Sequence, residues 1–403
     1  MVHRTASGVF VRDEPHLGML AYSPFTGMVC GVAREHSEVT LKWLNRESTP
    51  NLAPEIVAAL GHGWHNQASD PVVLPIPHLL PKREDWPQLA VTQRPILINW
   101  FITGHCPLNC LYCYAEDVMR GRQPEPSPED IRDRAARLLD LSPLVVVLTG
   151  GDPLFGGNFR FAVESLAGKV GLLVDTSGYT LNERHIALMQ EHRLCVRVSI
   201  DAERPRVHNR LRPIYPEYPQ LKATLGDSYG RALYAIVRLR EAEIPVAVQT
   251  VATKKNVNEL VSFGDKLASL GVTHWRIFKV SPSNAKMANY RKLVGAEKDS
   301  GETVSKRTAS DPFTHFFKAV ADAAKGRWRG RMSVQLTSND SPNAIIMLEP
   351  SGRFVTESNI RGKGKILIDE EHPEAPRLEL LPSRVNMAAH AERYLNNTSV
   401  RYW

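Results

Sequence analysis

Three of the five cysteines in this 403-residue chain fall within eight residues: Cys106, Cys110 and Cys113, in "GHCPLNCLYCYAED". The C-x3-C-x2-C spacing is too tight to staple distant parts of a fold, so these thiols read as metal ligands, not a disulfide framework. A purely electron-carrying iron–sulfur cluster takes four cysteines. Three leave one coordination position open, and an open position is where a ligand binds, by the logic that separates catalytic from structural zinc. A structural zinc loop would need a fourth donor, for which His105 is adjacent, but the spacing is not that of a zinc knuckle. The other two cysteines, Cys30 and Cys195, sit in apolar runs and read as buried small hydrophobes.

Polar residues that could complete a site recur at the ends of apolar runs. "TGGDP" (Thr149–Pro153) joins two glycines, which let the main chain approach a neighbour closely, to a carboxylate suited to a cation. Alone it is an ordinary turn. "DTSGY" offers Thr176 and Ser177. "VRVSID" ends in Ser199 and Asp201, and "HNRLRP" carries Arg210 and Arg212. Gln249, Thr250 and Lys279 close later runs; each could equally be a polar rim residue. His62 and His65 have metal-like spacing but no helix to carry them, so they read as a surface turn.

The elements that must position these residues alternate regularly from Arg94 to about residue 280. Ile96–Ile102 and Leu144–Leu148 are apolar runs of strand length, followed by "GLLVDTS", "CVRVSID", "PVAVQTV" and "HWRIFKV". Helical patterns lie between them. Ser127 is an N-cap with Pro128 at the first helical position, and Ile131, Ala135, Leu138 and Leu139 form one apolar face. Six near-continuous apolar strands with helices between them predict an α/β fold with a covered parallel sheet, curled into a partial (β/α)6 TIM-type barrel. The cysteine loop then follows the first strand, at the end where such barrels place their chemistry.

The flanks differ. Residues 1–75 suggest three strands and two helices, a small winged-helix-like α+β domain, with Ser37 as a helix cap and Val39, Leu41 and Leu44 as an apolar stripe. A proline-rich linker spans 76–93, the barrel 94–281, and a completing extension 282–403. Within the extension, 281–311 read as a loop. Asp311 and Pro312 open a helix, "AIIMLEPSGRFVTES" reads as two strands about a turn, and the end reads as a helix and an apolar plug. Net charge is +7, but the basic residues scatter and give no stripe for nucleic acid. No apolar run reaches the ~18 residues of a membrane span and no signal pattern opens the chain, so the expected compartment is the cytoplasm.

C-x3-C-x2-C after a first barrel strand, with Tyr112 before the third cysteine, resembles the radical SAM enzymes. That resemblance implies a [4Fe–4S] cluster on Cys106, Cys110 and Cys113 whose open iron binds S-adenosylmethionine. It implies one-electron cleavage to a 5′-deoxyadenosyl radical that abstracts a substrate hydrogen. It would place Gly150, Gly151, Asp152 and Pro153 at the cofactor's ammonium, with Asp152 replacing the commoner Glu. Ser199 and Asp201 would lie at the ribose, Thr176 at the same mouth, and Arg210 or Arg212 at the carboxylate. A reducing flavodoxin or ferredoxin-type protein would supply the electron. No cysteine follows Cys195, so auxiliary clusters are excluded on ligand count; Glu357 or Ser358 stands where such a cysteine would be. The N-terminal unit is similar in pattern to peptide-recognition domains of enzymes that mature ribosomal peptides, which implies a precursor peptide as partner. The alternatives are a small-molecule or nucleotide substrate, as in the viperin-like dehydratases, and a non-catalytic metal-binding interaction protein.

Overall fold

The computed structural model describes residues 1–15, 18–48, 52, 56–57, 60, 92, 94–113, 115–116, 124–280, 287–294, 313–337, 344–357, 365–396 and 399–402. The linker expected at 76–93, except Thr92, lies outside these residues. So do His62, His65, Asp311, Pro312 and Ser358.

The N-terminal strands are β1 (His3–Arg4), β2 (Phe10–Glu14), β3 (Gly18–Ser23) and β4 (Met28–Val32), antiparallel in the order β1-β2-β3-β4. The sequence suggested three; His3–Arg4 adds a short fourth against Phe10 and Val11. Helix Arg34–Leu44 follows, and it corrects two expectations. Its cap is Ala33, and Ser37 lies inside the helix with Oγ donating back to the Ala33 carbonyl (2.9 Å). Its buried face is Thr40, Trp43 and Leu44, while Val39 is 42% exposed. The large Trp43 sets the rotation by filling the space over Val11, Ala21 and Cys30. Ile56 and Leu60 are buried in the same cluster.

The second sheet carries β5 (Leu97–Phe101), β6 (Val145–Thr149), β7 (Gly171–Thr176), β8 (Cys195–Ser199), β9 (Val246–Ala252) and β10 (His274–Lys279) as parallel neighbours. These are the six expected strands. Two more join in parallel, β11 (Ser333–Thr337) beside β10 and β12 (Ile346–Leu348) beside β5. Antiparallel strands extend both edges: β13 (Phe354–Glu357) and β14 (Lys365–Leu367) beyond β12, and β15 (Ser399–Tyr402) beyond β11. The C-terminus is therefore a strand, not a plug, because Ser399–Tyr402 finds the free edge of β11. Helix Met287–Val294 interrupts the expected 281–311 loop, and the next helix starts at Thr314.

Helices cover the outer face. Helix Pro128–Asp140 begins with the capping box read from the sequence: Ser127 Oγ accepts from the Asp130 N–H while the Asp130 carboxylate accepts from the Ser127 N–H. Ile98, Val146, Val174, Val196, Val248 and Ile277 point into this outer core. The alternate strand residues face inward, where Leu97, Val145, Leu173, Arg197, Arg276 and Gln335 all border one cleft, so the sheet curls far enough to bring β5 and β11 around a common space.

The N-terminal sheet packs on the end of this barrel where the strands begin. Phe10, Leu20, Tyr22 and Val29 share a core with Leu97, Val145, Leu173 and Cys195. The Tyr22 hydroxyl donates to the Leu172 carbonyl (2.8 Å), and the buried Arg12 guanidinium donates to the carbonyls of Pro95 (2.8 Å) and Ser142 (2.6 Å). Cys30 and Cys195 are buried as expected, and burial pushes the Cys195 thiol up to about 12.

Candidate metal centre

Cys106, Cys110 and Cys113 leave the C-terminal end of β5 on one loop, none of them in a disulfide. Two backbone clamps hold that loop. On one side, Asn109 N–H donates to the Pro213 carbonyl (2.7 Å), Leu111 N–H to Leu211 (2.9 Å), and Tyr215 N–H to Pro107 (2.9 Å), closing a short antiparallel bridge to residues 211–215. On the other, Gly151 N–H donates to the Thr103 carbonyl (3.0 Å) and Asp152 N–H to His105 (2.8 Å). A Cβ on Gly151 would lie 1.9 Å from the His105 carbonyl oxygen, and one on Gly150, at φ +141°, 2.4 Å from that of Thr103. The two glycines of "TGGDP" thus allow this turn to press against the cysteine loop itself.

Burial raises the Cys106 thiol well above its ordinary value, with smaller contributions from Asp152, Cys110 and Cys113, so the three sulfurs are close enough to feel one another. Apolar walls surround them: Leu108 and Tyr179 on one side, Phe101, Ala115 and Met347 on the other. Among the described residues, no three Cys, His, Asp or Glu side chains gather around one point as a single ion requires. The donor chemistry fits an iron–sulfur group: three thiols, soft ligands on one loop, at an apolar barrel mouth.

Asp201 organises the polar side. It is fully buried at the end of β8, and its carboxylate accepts from the Tyr112 hydroxyl, Arg212 Nε (2.6 Å) and the Val251 N–H (2.9 Å). Burial opposes its ionisation, but Arg212, His208 and the hydrogen bonds outweigh burial and hold the carboxyl below its usual range. Arg212 is buried over the Tyr112 ring, 5.4 Å from its centroid, and its Nη1 lies 3.8 Å from Cys110 Sγ. Despite burial, Asp201 raises the Arg212 pKa well above its ordinary value, so the guanidinium stays charged beside the thiols.

This geometry separates Arg212 from Arg210. Helix Pro205–Leu211 leaves Arg210 exposed, and Arg212, just past its end, turns inward. Other expected groups are already engaged within the protein. The Asp152 carboxylate is buried and accepts from Thr176 Oγ1 (2.8 Å), the Leu154 N–H (3.1 Å), the Ser177 N–H (2.8 Å) and the Ser177 hydroxyl. Asp152 and Thr176 therefore tie the turn after β6 to the end of β7. Asp201 is likewise an internal hub, while Ser199, half-buried at the end of β8, makes no side-chain hydrogen bond among the described residues. Thr250 turns to the outer core, donating to the Ile200 carbonyl (2.6 Å) and accepting from Trp275 Nε1 (2.9 Å). Gln249 binds Asp175 (2.9 Å), and Lys279 lies over the Phe317 ring. Sequence reasoning missed Glu125, whose carboxylate accepts from Thr103 Oγ1 (2.9 Å), His105 Nδ1 (2.8 Å) and Asn158 Nδ2 (3.1 Å), bracing the start of the cysteine loop. A lone glutamate between prolines carries no signal for that role.

Residues 100–266 match the family model described as the radical SAM superfamily. Residues 100–266 are a radical SAM superfamily domain. The chain is 23% identical over 199 residues to the AdoMet-dependent heme synthase of Methanosarcina barkeri, covering 48% of this chain and 53% of that protein. The chain thus spans about half the length of that relative. It is 22% identical to the S-adenosylmethionine-dependent nucleotide dehydratase of Flammeovirga pacifica over 65% of this chain and 82% of that protein. Among solved structures, Streptococcus suis SuiB bound to its precursor peptide SuiA aligns over 88% of this chain and 82% of SuiB, with a TM-score of 0.55 at 11% identity. At that identity the likeness is one of fold.

Proposed function

We propose that this chain cleaves S-adenosylmethionine at a [4Fe–4S] cluster held by Cys106, Cys110 and Cys113, taking a hydrogen atom from a ribosomally made peptide. The observation that carries the reading is the charged Arg212 held against Cys110 at the barrel mouth. When bound, such a cluster supplies one electron to the sulfonium, which releases a carbon radical able to abstract hydrogen. The chain's own residues supply position and dryness. Arg212 presents a guanidinium whose fork matches a carboxylate, and Asp201 and Tyr112 fix its direction. Leu108, Phe101, Tyr179 and Met347 keep water from the thiols. The electron comes from a reduced flavodoxin or ferredoxin-type protein.

The peptide docks on the N-terminal sheet. Strand β4 is its edge, and an edge can take an added peptide strand through main-chain hydrogen bonds. The SuiB–SuiA likeness supports this reading, whereas the long alignment with a nucleotide dehydratase favours a nucleotide as the second reading. Anaerobic reconstitution with a chemical reductant, followed by mass spectrometry for 5′-deoxyadenosine and for modified peptides encoded beside the gene, tests it. Reconstituted protein should carry about four irons and form 5′-deoxyadenosine, and Cys110→Ala should do neither. A single tightly held zinc would overturn the assignment. Turnover of nucleoside triphosphates but no peptide would move the substrate to the second reading.

A further inference from the structure

At the barrel end opposite the cysteines, a small cleft of about 40 Å³ lies between the strand starts and the N-terminal sheet. Tyr22 and Gly27–Val29 roof it, and Arg393 and Tyr394 close one side. Three guanidiniums border it: Arg197 from β8, Arg276 from β10, and Arg393. Arg197 is satisfied by an ion pair with Asp175, whose carboxylate also binds Gln249.

Arg276 is different. It makes no ion pair among the described residues, and its Nε, cut off from solvent, has no hydrogen-bond partner. Its guanidinium lies over the face of Phe278, 4.7 Å from the ring centroid. Burial first, then the like charges of Arg197 and Arg393, hold its pKa well below the ordinary arginine value. Three guanidiniums share this cleft with one carboxylate, Asp175, so a further counter-charge is favoured beside half-buried Arg276, because a poorly solvated charge without compensation is costly. The guanidinium fork matches oxyanions, donating two parallel hydrogen bonds to a carboxylate or a phosphate. Arg276, His274 and Arg393 each keep part of their surface in solvent, so a ligand can reach the cleft.

We propose that this cleft, centred on Arg276 and framed by β10 and the N-terminal sheet, binds an oxyanion carried by a substrate or effector. The site is separate from the thiols, so its test needs no cluster and its failure leaves the proposed radical chemistry untouched. The full chain is titrated with sodium acetate and with inorganic phosphate at constant ionic strength set by chloride, reading melting temperature and calorimetric binding. At least one of the two should bind saturably. Arg276→Met should weaken that binding at least tenfold, while Arg184→Gln, exposed on helix Glu183–Glu191, should leave it unchanged. In chloride alone Arg276→Met should melt no lower than wild type, since it removes a half-buried charge that makes no ion pair among the described residues. Tighter acetate assigns a carboxylate; tighter phosphate assigns a phosphoryl group. No saturable response beyond chloride, unchanged affinity in Arg276→Met, or a lower melting temperature of that variant in chloride would each overturn the site.

Discussion

Replacing Asp201 by Asn keeps the shape of the hub and removes its charge. Asp201 is fully buried and Arg212 is 8% exposed, with Nε 2.6 Å from the carboxylate. The remaining Arg212 would be a buried guanidinium without its counter-ion, which costs about 3–5 kcal/mol. A Coulomb estimate agrees: two charges about 4 Å apart at an effective dielectric near 20 attract by roughly 4 kcal/mol. Urea denaturation of cluster-free protein at neutral pH should show that loss. The double variant Asp201→Asn/Arg212→Met should recover at least half of it, because it buries no unpaired charge. The pH dependence follows from the depressed Asp201 pKa. Its stabilisation is fully present above the unfolded carboxyl value near 3.9 and is lost as pH falls through the lower folded value. The gap between wild type and Asp201→Asn should therefore stay constant from about pH 8 to pH 5 and close at lower pH. A single-variant cost below about 1 kcal/mol, or a double variant no better than the single, would refute the hub.

Gly151→Ala should destabilise by more than about 2 kcal/mol, since its Cβ meets backbone 1.9 Å away, whereas Gly157→Ala, with nothing within 4 Å, should stay within about 0.5 kcal/mol; paired denaturation curves check both. His390 is buried, its Nε2 accepting from the Ile96 N–H (2.9 Å) and its Nδ1–H donating to the Ala344 carbonyl (2.8 Å). Burial lowers its pKa to about 4, so its stabilisation is present above pH 6.5 and lost as pH falls toward 4, about 3 kcal/mol in all. His208 is lowered to about 4 as well, mainly by burial, so His390→Leu should remove roughly half of the stability loss between pH 7 and 4 in a pH-denaturation series. Arg212→Lys should lose cofactor affinity at least tenfold in equilibrium dialysis with S-adenosylmethionine while retaining iron, because an ammonium lacks the fork.

Much of the scaffold could be read from short stretches. Apolar runs of strand length with capped helices between them produced the six central strands, and Ser127–Asp130 formed the expected capping box, because both depend on residues a few positions apart. Edges and helix faces were harder. The rotation of helix Arg34–Leu44 followed Trp43 against the sheet, and Ser399–Tyr402 became a strand only because β11 offered it an unpaired edge. Neither outcome has a local signal.

The same division runs through the candidate metal centre. Which residues would carry the thiols was determined by the chain itself, since Cys106, Cys110 and Cys113 are close in sequence and must be close in space. Which charged residue would stand beside them was not. Arg210 and Arg212 are indistinguishable in "HNRLRP", and the choice came from the bridge between residues 107–111 and 211–215. The commitments of Asp152 and Asp201 likewise depend on partners as far as 24 and 89 positions away. Ligand identity is written in composition and spacing, whereas the direction and protonation of a buried charge depend on the neighbours that folding brings to it.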